Sequence, residues 1–326
     1  MGYFHSSYYR FYNRCAKQTF KFFLISDIHF SSNVDSVKLN VITKQAEKLN
    51  PNYILIPGDL LDSLDSIDDE HEFQRLKNWL AHLGKIAPTL ICLGNHDFYR
   101  KNPAHNNIFS KEGRWLSEKS SRFIEVVNQI GNVMILDNQS YKSRDVYIFG
   151  FTQSSSYFQF DHDKRRNASL LRPGGENLSV MLKDLNTINQ GLISKLPKNK
   201  VKIALIHSPI YLTHPKVAAK LVNFDFIISG HMHNGIVPPV LNEIWHSDRG
   251  IIAPGKRIFP HGSRVKIRSN HDRIITLGAV STVQSNTFKL ANHLNNIYPV
   301  NIATLELSRD QSLERKPDVQ HRYYSF

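Results

Sequence analysis

Five short runs rich in Asp, His and Asn carry the chemistry of this chain: Ser26 to His29 (SDIH), Pro57 to Leu60 (PGDL), Leu93 to Asp97 (LGNHD), Ile206 to Pro209 (IHSP) and Ser229 to His233 (SGHMH). Seven side chains in them, Asp27, His29, Asp59, Asn95, His207, His231 and His233, offer carboxylate oxygen, amide oxygen or imidazole nitrogen. Asp27 and His29 fall just beyond an apolar strand, where the backbone turns, so both can aim at one ion. Asp59 has two oxygens and can bridge two cations. Mixed nitrogen and oxygen donors without thiolate suit Mn, Fe, Zn or Co rather than a structural Cys-rich zinc. One buried His is ordinarily a satisfied core residue, and one Gly-Asp after a strand is ordinarily a turn. What separates this chain from those readings is the ordered recurrence of donors after strands.

The elements that must position these donors alternate between strand and helix. An apolar strand from Phe22 through Ser26 precedes a helix over Ser36 to Leu49, a strand over Tyr53 to Ile56, a helix over Glu70 to Leu83 and a strand over Thr89 to Leu93. A helix over Arg122 to Ile130, strands over Val133 to Leu136 and Val146 to Phe151, and a helix over Glu176 to Asn189 come next. Strands over Lys202 to Ile206 and Phe226 to Ile228 lead to the last two clusters, and strands over Ile274 to Val280 and Ile302 to Leu307 close the fold. Such alternation argues for a mainly parallel α/β sheet. Ligands of open α/β sheets bind beyond the carboxyl ends of the strands, so the clusters should converge there. Gln153 to Gly175 and the Pro- and Gly-punctuated Asn234 to Gly262 read as loops.

The ordered set DxH, GD, GNHD, H and GHxH, spanning about Phe22 to His233, resembles the calcineurin-like metallophosphoesterase superfamily. The resemblance implies a four-layer α-β-β-α sandwich with two mixed sheets and a pair of divalent metal ions. Asp27, His29 and His233 would hold the first ion, Asn95, His207 and His231 the second, and Asp59 both. His96 would contact the phosphate and help protonate the leaving alkoxide, with Asp97 orienting it. Asp62, three residues after Asp59, orients a histidine ligand or caps the following turn. A metal pair roughly 3.5–4 Å apart lowers the pKa of a bridging water, whose hydroxide is the nucleophile of an in-line displacement. The later GHMHNGIVPPVL and RGIIAPGKRIFPHG look like the bacterial membrane-associated, phosphodiesterase-like branch, although Asn234 stands where Gly is common. Several members of that branch act on lipid-linked or nucleotide-linked phosphodiesters.

Substrate contacts are expected from Arg100 and Lys101 after the GNHD run, and from His105, Lys256, Arg257 and His261, with Arg suited to bidentate phosphate binding. Lys and Arg number 41 against 28 Asp and Glu, a net charge of +13 that attracts anions of any kind, whether nucleic acid, lipid headgroup or small phosphoester. Cys15 and Cys92 cannot build a disulfide framework, which fits a reducing cytoplasm. Residues 1–20 read as a basic, aromatic N-terminal extension with peripheral contact at the inner face of an anionic membrane as one role. Residues 21–308 read as the catalytic domain and 309–326 as a charged tail. Three functions are open: a binuclear phosphodiesterase or phosphomonoesterase acting on a small or lipid-linked phosphoester, a metal-dependent nuclease, and a non-catalytic interaction scaffold. The complete donor set argues against the last. The absence of a groove motif interleaving charges with aromatics argues against the second.

Overall fold

The computed structural model describes residues 3–31, 34, 36–98, 118–154, 157, 175–192, 196–209, 211–212, 214–231, 233, 266–267, 273–281 and 300–325. Its strands are β1 (Tyr3–Tyr12), β2 (Phe20–Leu24), β3 (Tyr53–Pro57), β4 (Thr89–Cys92), β5 (Val133–Ile135), β6 (Ser140–Lys142), β7 (Val146–Phe151), β8 (Val201–Ile206), β9 (Phe226–Ser229), β10 (Lys266–Ile267), β11 (Arg273–Thr276), β12 (Val300–Ser308) and β13 (Asp318–Ser325). The α-helices are α1 (Ser36–Leu49), α2 (Glu70–Ile86), α3 (Glu118–Asn128), α4 (Gly175–Leu192), α5 (Pro215–Leu221) and α6 (Ser312–Arg315). Among the described residues, one sheet runs β13-β1-β12-β2-β3-β4-β5 and the other β10-β11-β9-β8-β7-β6. The stretch β2 to β5 is parallel, as are β7, β8, β9 and β11, while antiparallel partners flank both.

Burial explains the layering. β3, β4, β7 and β9 are buried at every residue, so both faces of each must be covered. The period-two alternation of a strand divides the work. Leu55 packs between the sheets with Leu24, Leu90, Ile203 and Leu205, whereas Ile54 and Ile56 face a cluster with Ile42 of α1, Leu80 of α2 and Phe123 of α3. On the second sheet Ala204 and Ile206 turn outward to Leu185 of α4 and Val217 of α5. The result is helix, sheet, sheet, helix, the arrangement that the resemblance implies. Within the first helical layer, Asp69 caps α2 by accepting the N–H groups of His71 and Glu72 at 3.0 and 3.1 Å. Trp79 Nε1 donates to Thr43 Oγ1 at 3.2 Å, tying α2 to α1.

The two ends of the chain differ from expectation. The segment set apart as an extension contains β1, which pairs parallel with β12 and antiparallel with β13, and β13 lies in the segment set apart as a tail. Tyr9 and Phe11 are fully buried between the sheets, and Phe11 meets Phe226 of β9 at 5.5 Å. Those two rings therefore belong to the core and cannot lie on a membrane. Alternation was hidden because His5 and Ser7 point inward while Tyr8 and Tyr12 sit at positions of intermediate burial. Four short elements, β6, β10, α5 and α6, lie where no element is expected from the sequence, and β11 stops at Thr276, leaving residues 277–281 as a loop. The loop expected over Asn234 to Gly262 lies outside the described residues, as does most of Gln153 to Gly175. No described helix is long and apolar enough to cross a membrane.

Candidate metal centre

Five strand ends build the site. β2, β3 and β4 lie side by side in one sheet and β8 and β9 in the other, and each runs into one of the five clusters. The turns there are sharp: Asp27, His29, Asp59, His231 and His233 all have left-handed backbones, with φ of 53°, 47°, 51°, 70° and 52°. Asp and His tolerate this region better than most side chains, but it still stores strain that the surrounding structure must hold. Backbones of this kind occur at five of the seven expected donors.

The donors converge. His29 Nε2 lies 3.1 Å from His233 Nε2, and His233 Nε2 lies 3.2 Å from Asp27 Oδ1. His207 Nε2 is 3.1 Å from Asp59 Oδ2 and 3.2 Å from His231 Nδ1, while Asp59 Oδ2 is 3.8 Å from His29 Nε2. Neighbouring donors bonded at about 2.1 Å to one cation stand roughly 3.0–3.4 Å apart, so these contacts fit a shared ion. Asp59 lies at the junction, close to His29 on one side and His207 on the other. Buried Asn95 Oδ1 makes no hydrogen bond, a cost that a bound group at this site would offset. The donor set present thus fits a pair of divalent cations.

Hydrogen bonds to the loops fix which nitrogen faces the site. His207 Nδ1 meets the Pro57 carbonyl at 2.8 Å and must carry a proton there, leaving Nε2 to face Asp59. His96 Nδ1 meets the Asp62 carbonyl at 2.8 Å and carries a proton there, and its ring stands edge-on to His29 at 4.5 Å. Asp62 also brings a carboxylate oxygen within 4.8 Å of ring nitrogens of His29 and His96. Asp97, expected to orient His96, engages the backbone of two neighbouring loops. Its carboxylate accepts Leu61 N–H at 2.9 Å and Gly94 N–H at 2.8 Å, fastening the Asp59 loop to the Asn95 loop.

Two contacts had no signal in the sequence. The backbone N–H of His96 donates to Asp59 Oδ1 at 2.8 Å, and that of His231 donates to both oxygens of Asp27 at 3.0 Å. Arg100, Lys101, His105, Lys256, Arg257 and His261 lie outside the described residues.

Electrostatics favours cations. Burial alone would raise the Asp27 carboxyl, but the imidazoles of His233 and His207 hold it down at about 2. Asp59 is likewise buried, and His207 and His96 carry it well below the carboxylate range. Burial keeps His29 and His231 neutral, His231 at about 3, with like charge from neighbouring histidines adding to the effect. His207 is pushed up to about 9: burial opposes this, and the adjacent Asp59 outweighs it. Burial and the Asp59 charge raise Asp97 to about 7. Ionised Asp27 and Asp59 beside the neutral imidazoles of His29 and His231 make a buried pocket that attracts positive ions, and a cation bound there would displace the proton from His207.

Close approach explains the glycines. A Cβ on Gly58, whose φ is +90°, would lie 2.5 Å from His207 Nδ1, and one on Gly94 would lie 2.2 Å from Asp59 Oδ1. Gly94→Ala must therefore push Asp59 aside. We expect metal affinity to fall roughly ten- to a hundredfold, the scale of a disturbed ligand support, as read by calorimetric titration with Mn(II). Unchanged affinity would show that Asp59 does not need this position.

Two packed sheets with an N/O donor pocket at the carboxyl ends of five strands define a candidate binuclear metal centre. The family described as calcineurin-like phosphoesterase matches residues 20–235, about two thirds of the sequence, and the chain belongs to that family. An uncharacterized metallophosphoesterase of Campylobacter jejuni is 23% identical over 232 residues, covering 69% of this chain and 47% of its own. A transmembrane protein with a metallophosphoesterase domain from Danio rerio is 37% identical over 79 residues, 23% of this chain and 16% of its own. The matches thus span about half, or less, of the length of these relatives. Among solved structures, a dimetal phosphatase from Danio rerio aligns over 87% of this chain and 91% of its own, at 14% identity and a TM-score of 0.43.

Proposed function

We propose that this protein is a binuclear metal-dependent phosphodiesterase acting on a small or lipid-linked phosphoester. The observation that carries the proposal is the convergence of six of the seven expected donors, Asp27, His29, Asp59, His207, His231 and His233, around Asp59. Asp27, His29 and His233 would hold one ion, Asn95, His207 and His231 the other, and Asp59 would reach both. A divalent pair held there supplies Lewis acidity toward the phosphoryl oxygens and lowers the pKa of water enough for attack near neutral pH.

The chain's own residues do the rest. His96, with Nδ1 committed to the Asp62 carbonyl, presents Nε2 to deliver a proton to the leaving oxygen. Asp97 keeps the loops of Asp59 and Asn95 in register, so that the backbone N–H of His96 stays on Asp59 Oδ1. With burial around it, the pocket excludes bulk water and strengthens these interactions.

Cleavage of bis-p-nitrophenyl phosphate by Mn(II)-loaded protein tests the reaction. His96→Ala should lower kcat roughly 10²- to 10⁴-fold, the usual contribution of general acid–base catalysis, with metal binding retained. A kcat within a few-fold of the parent would remove His96 from the mechanism. A panel of nucleotides, nucleotide-sugars, phospholipids and oligonucleotides separates substrate classes. The net charge of +13 favours the nuclease alternative, and cleavage of oligonucleotides alone at physiological salt would replace the small-substrate reading with it. We place the protein in the cytoplasm, with peripheral contact at the inner membrane face. Support comes from its unpaired cysteines, its positive charge and the transmembrane relative.

A further inference from the structure

The segment 277–281, beyond the family match, is the backbone partner of Asp27. Val280 N–H donates to the carbonyls of Ser26 and Asp27 at 3.1 and 3.2 Å, and Ser281 N–H donates to Asp27 O at 3.1 Å. Ala279 forms a parallel bridge with Ser26. These bonds fall on the residue whose φ is 53°, so they stabilise a conformation that an unsupported Asp would leave. The segment is held from behind by Asn301 of β12. Its Nδ2 donates to Ala279 O at 2.8 Å, and its backbone N–H reaches the same carbonyl at 3.3 Å. Asn301 Oδ1 meets Nδ1 of His5, its register neighbour in β1, at 3.1 Å.

We propose that Asn301 is a positioning residue for the metal centre, acting through Ala279 and Val280 on the backbone of Asp27. It connects the N-terminal strand to a metal ligand by a short polar chain: His5, Asn301, the 277–281 segment, Asp27. A buried side-chain amide costs stability unless its hydrogen bonds are made, and here both ends of the amide are engaged. Movement of Asp27 would also carry His231, whose N–H rests on the Asp27 carboxylate. Lys38 of α1, buried at 6% exposure, adds a 3.4 Å contact to Val280 O and is a secondary support.

The inference rests on the reading of Asp27 as a ligand, so the test reads metal binding directly. Parent, Asn301→Ala and Thr304→Ala proteins are titrated with Mn(II) by calorimetry and by activation of bis-p-nitrophenyl phosphate cleavage. Thr304 lies on the same strand, three residues from Asn301 and paired with Tyr8 and Phe23 outside the chain described above, and controls for general damage to β12. Asn301→Ala should bind Mn(II) roughly ten- to a hundredfold more weakly and need correspondingly more metal for half-activation, with kcat recovered at saturation; Thr304→Ala should match the parent. If the alanine variant does not fold, Asn301→Asp keeps the shape and the acceptor for His5 but has no N–H for Ala279 O, and the same shift is expected. Parent-like affinity in a folded Asn301 variant, or activity that saturating metal does not restore, would overturn the proposal. Failure of the parent itself to bind Mn(II) would overturn the metal-centre reading, and the inference with it.

Discussion

Asp59→Asn is expected to lower kcat/KM by about 10³-fold or more and to remove Mn(II) binding measurable by calorimetry, while leaving the far-ultraviolet circular dichroism unchanged. The substitution conserves size, and Asn tolerates the left-handed backbone at φ 51°. Its amide oxygen can still accept the His96 N–H that now lies 2.8 Å from Oδ1. What disappears is the negative charge and the second oxygen, the one 3.1 Å from His207 Nε2 and 3.8 Å from His29 Nε2. An NH₂ group there has no lone pair to give a cation. Lewis-acid stabilisation of several kcal/mol then goes, and each 1.4 kcal/mol is about tenfold in rate. Turnover within tenfold of the parent would sink the bridging role of Asp59.

Phe11→Ala is the second large effect, and it bears on stability rather than chemistry. The ring is fully buried between the two sheets and packs against Phe226 at 5.5 Å, tilted by 57°. Truncating such a ring costs about 3–5 kcal/mol through lost transfer energy and the cavity left behind. Urea unfolding should show a lowered midpoint with little change in slope. A loss below about 0.5 kcal/mol, the scale of surface substitutions, would mean that residues 1–20 are an arm and that β1 is not part of the sheet in solution.

Local features were readable because they repeat with a short period. The helix over Ser36 to Leu49 has the observed bounds of α1, and the donors come together because each directly follows a parallel strand. β1 escaped because its partners lie about 300 residues away, at β12 and β13, and because inward His5 and Ser7 mask its alternation. Nothing in a one-dimensional pattern marks a long-range pairing of this kind. The same holds for Asp97, whose neighbours in sequence suggest a histidine support, whereas its carboxylate fastens two loops. Asn301 and the 277–281 segment were invisible for the further reason that a single polar residue in a strand usually means only a solvent-facing position.

The left-handed turns at the donors have a consequence for how this protein can evolve. A backbone held at φ 47° to 70° in five places is a standing load on the fold, of order 1 kcal/mol at each position for a residue with a Cβ. Glycine at any of them would relieve that load while deleting a proposed ligand. Selection for thermal stability alone would therefore erode the site, and descendants that lose catalysis should drift toward glycine at these five positions before they lose the fold.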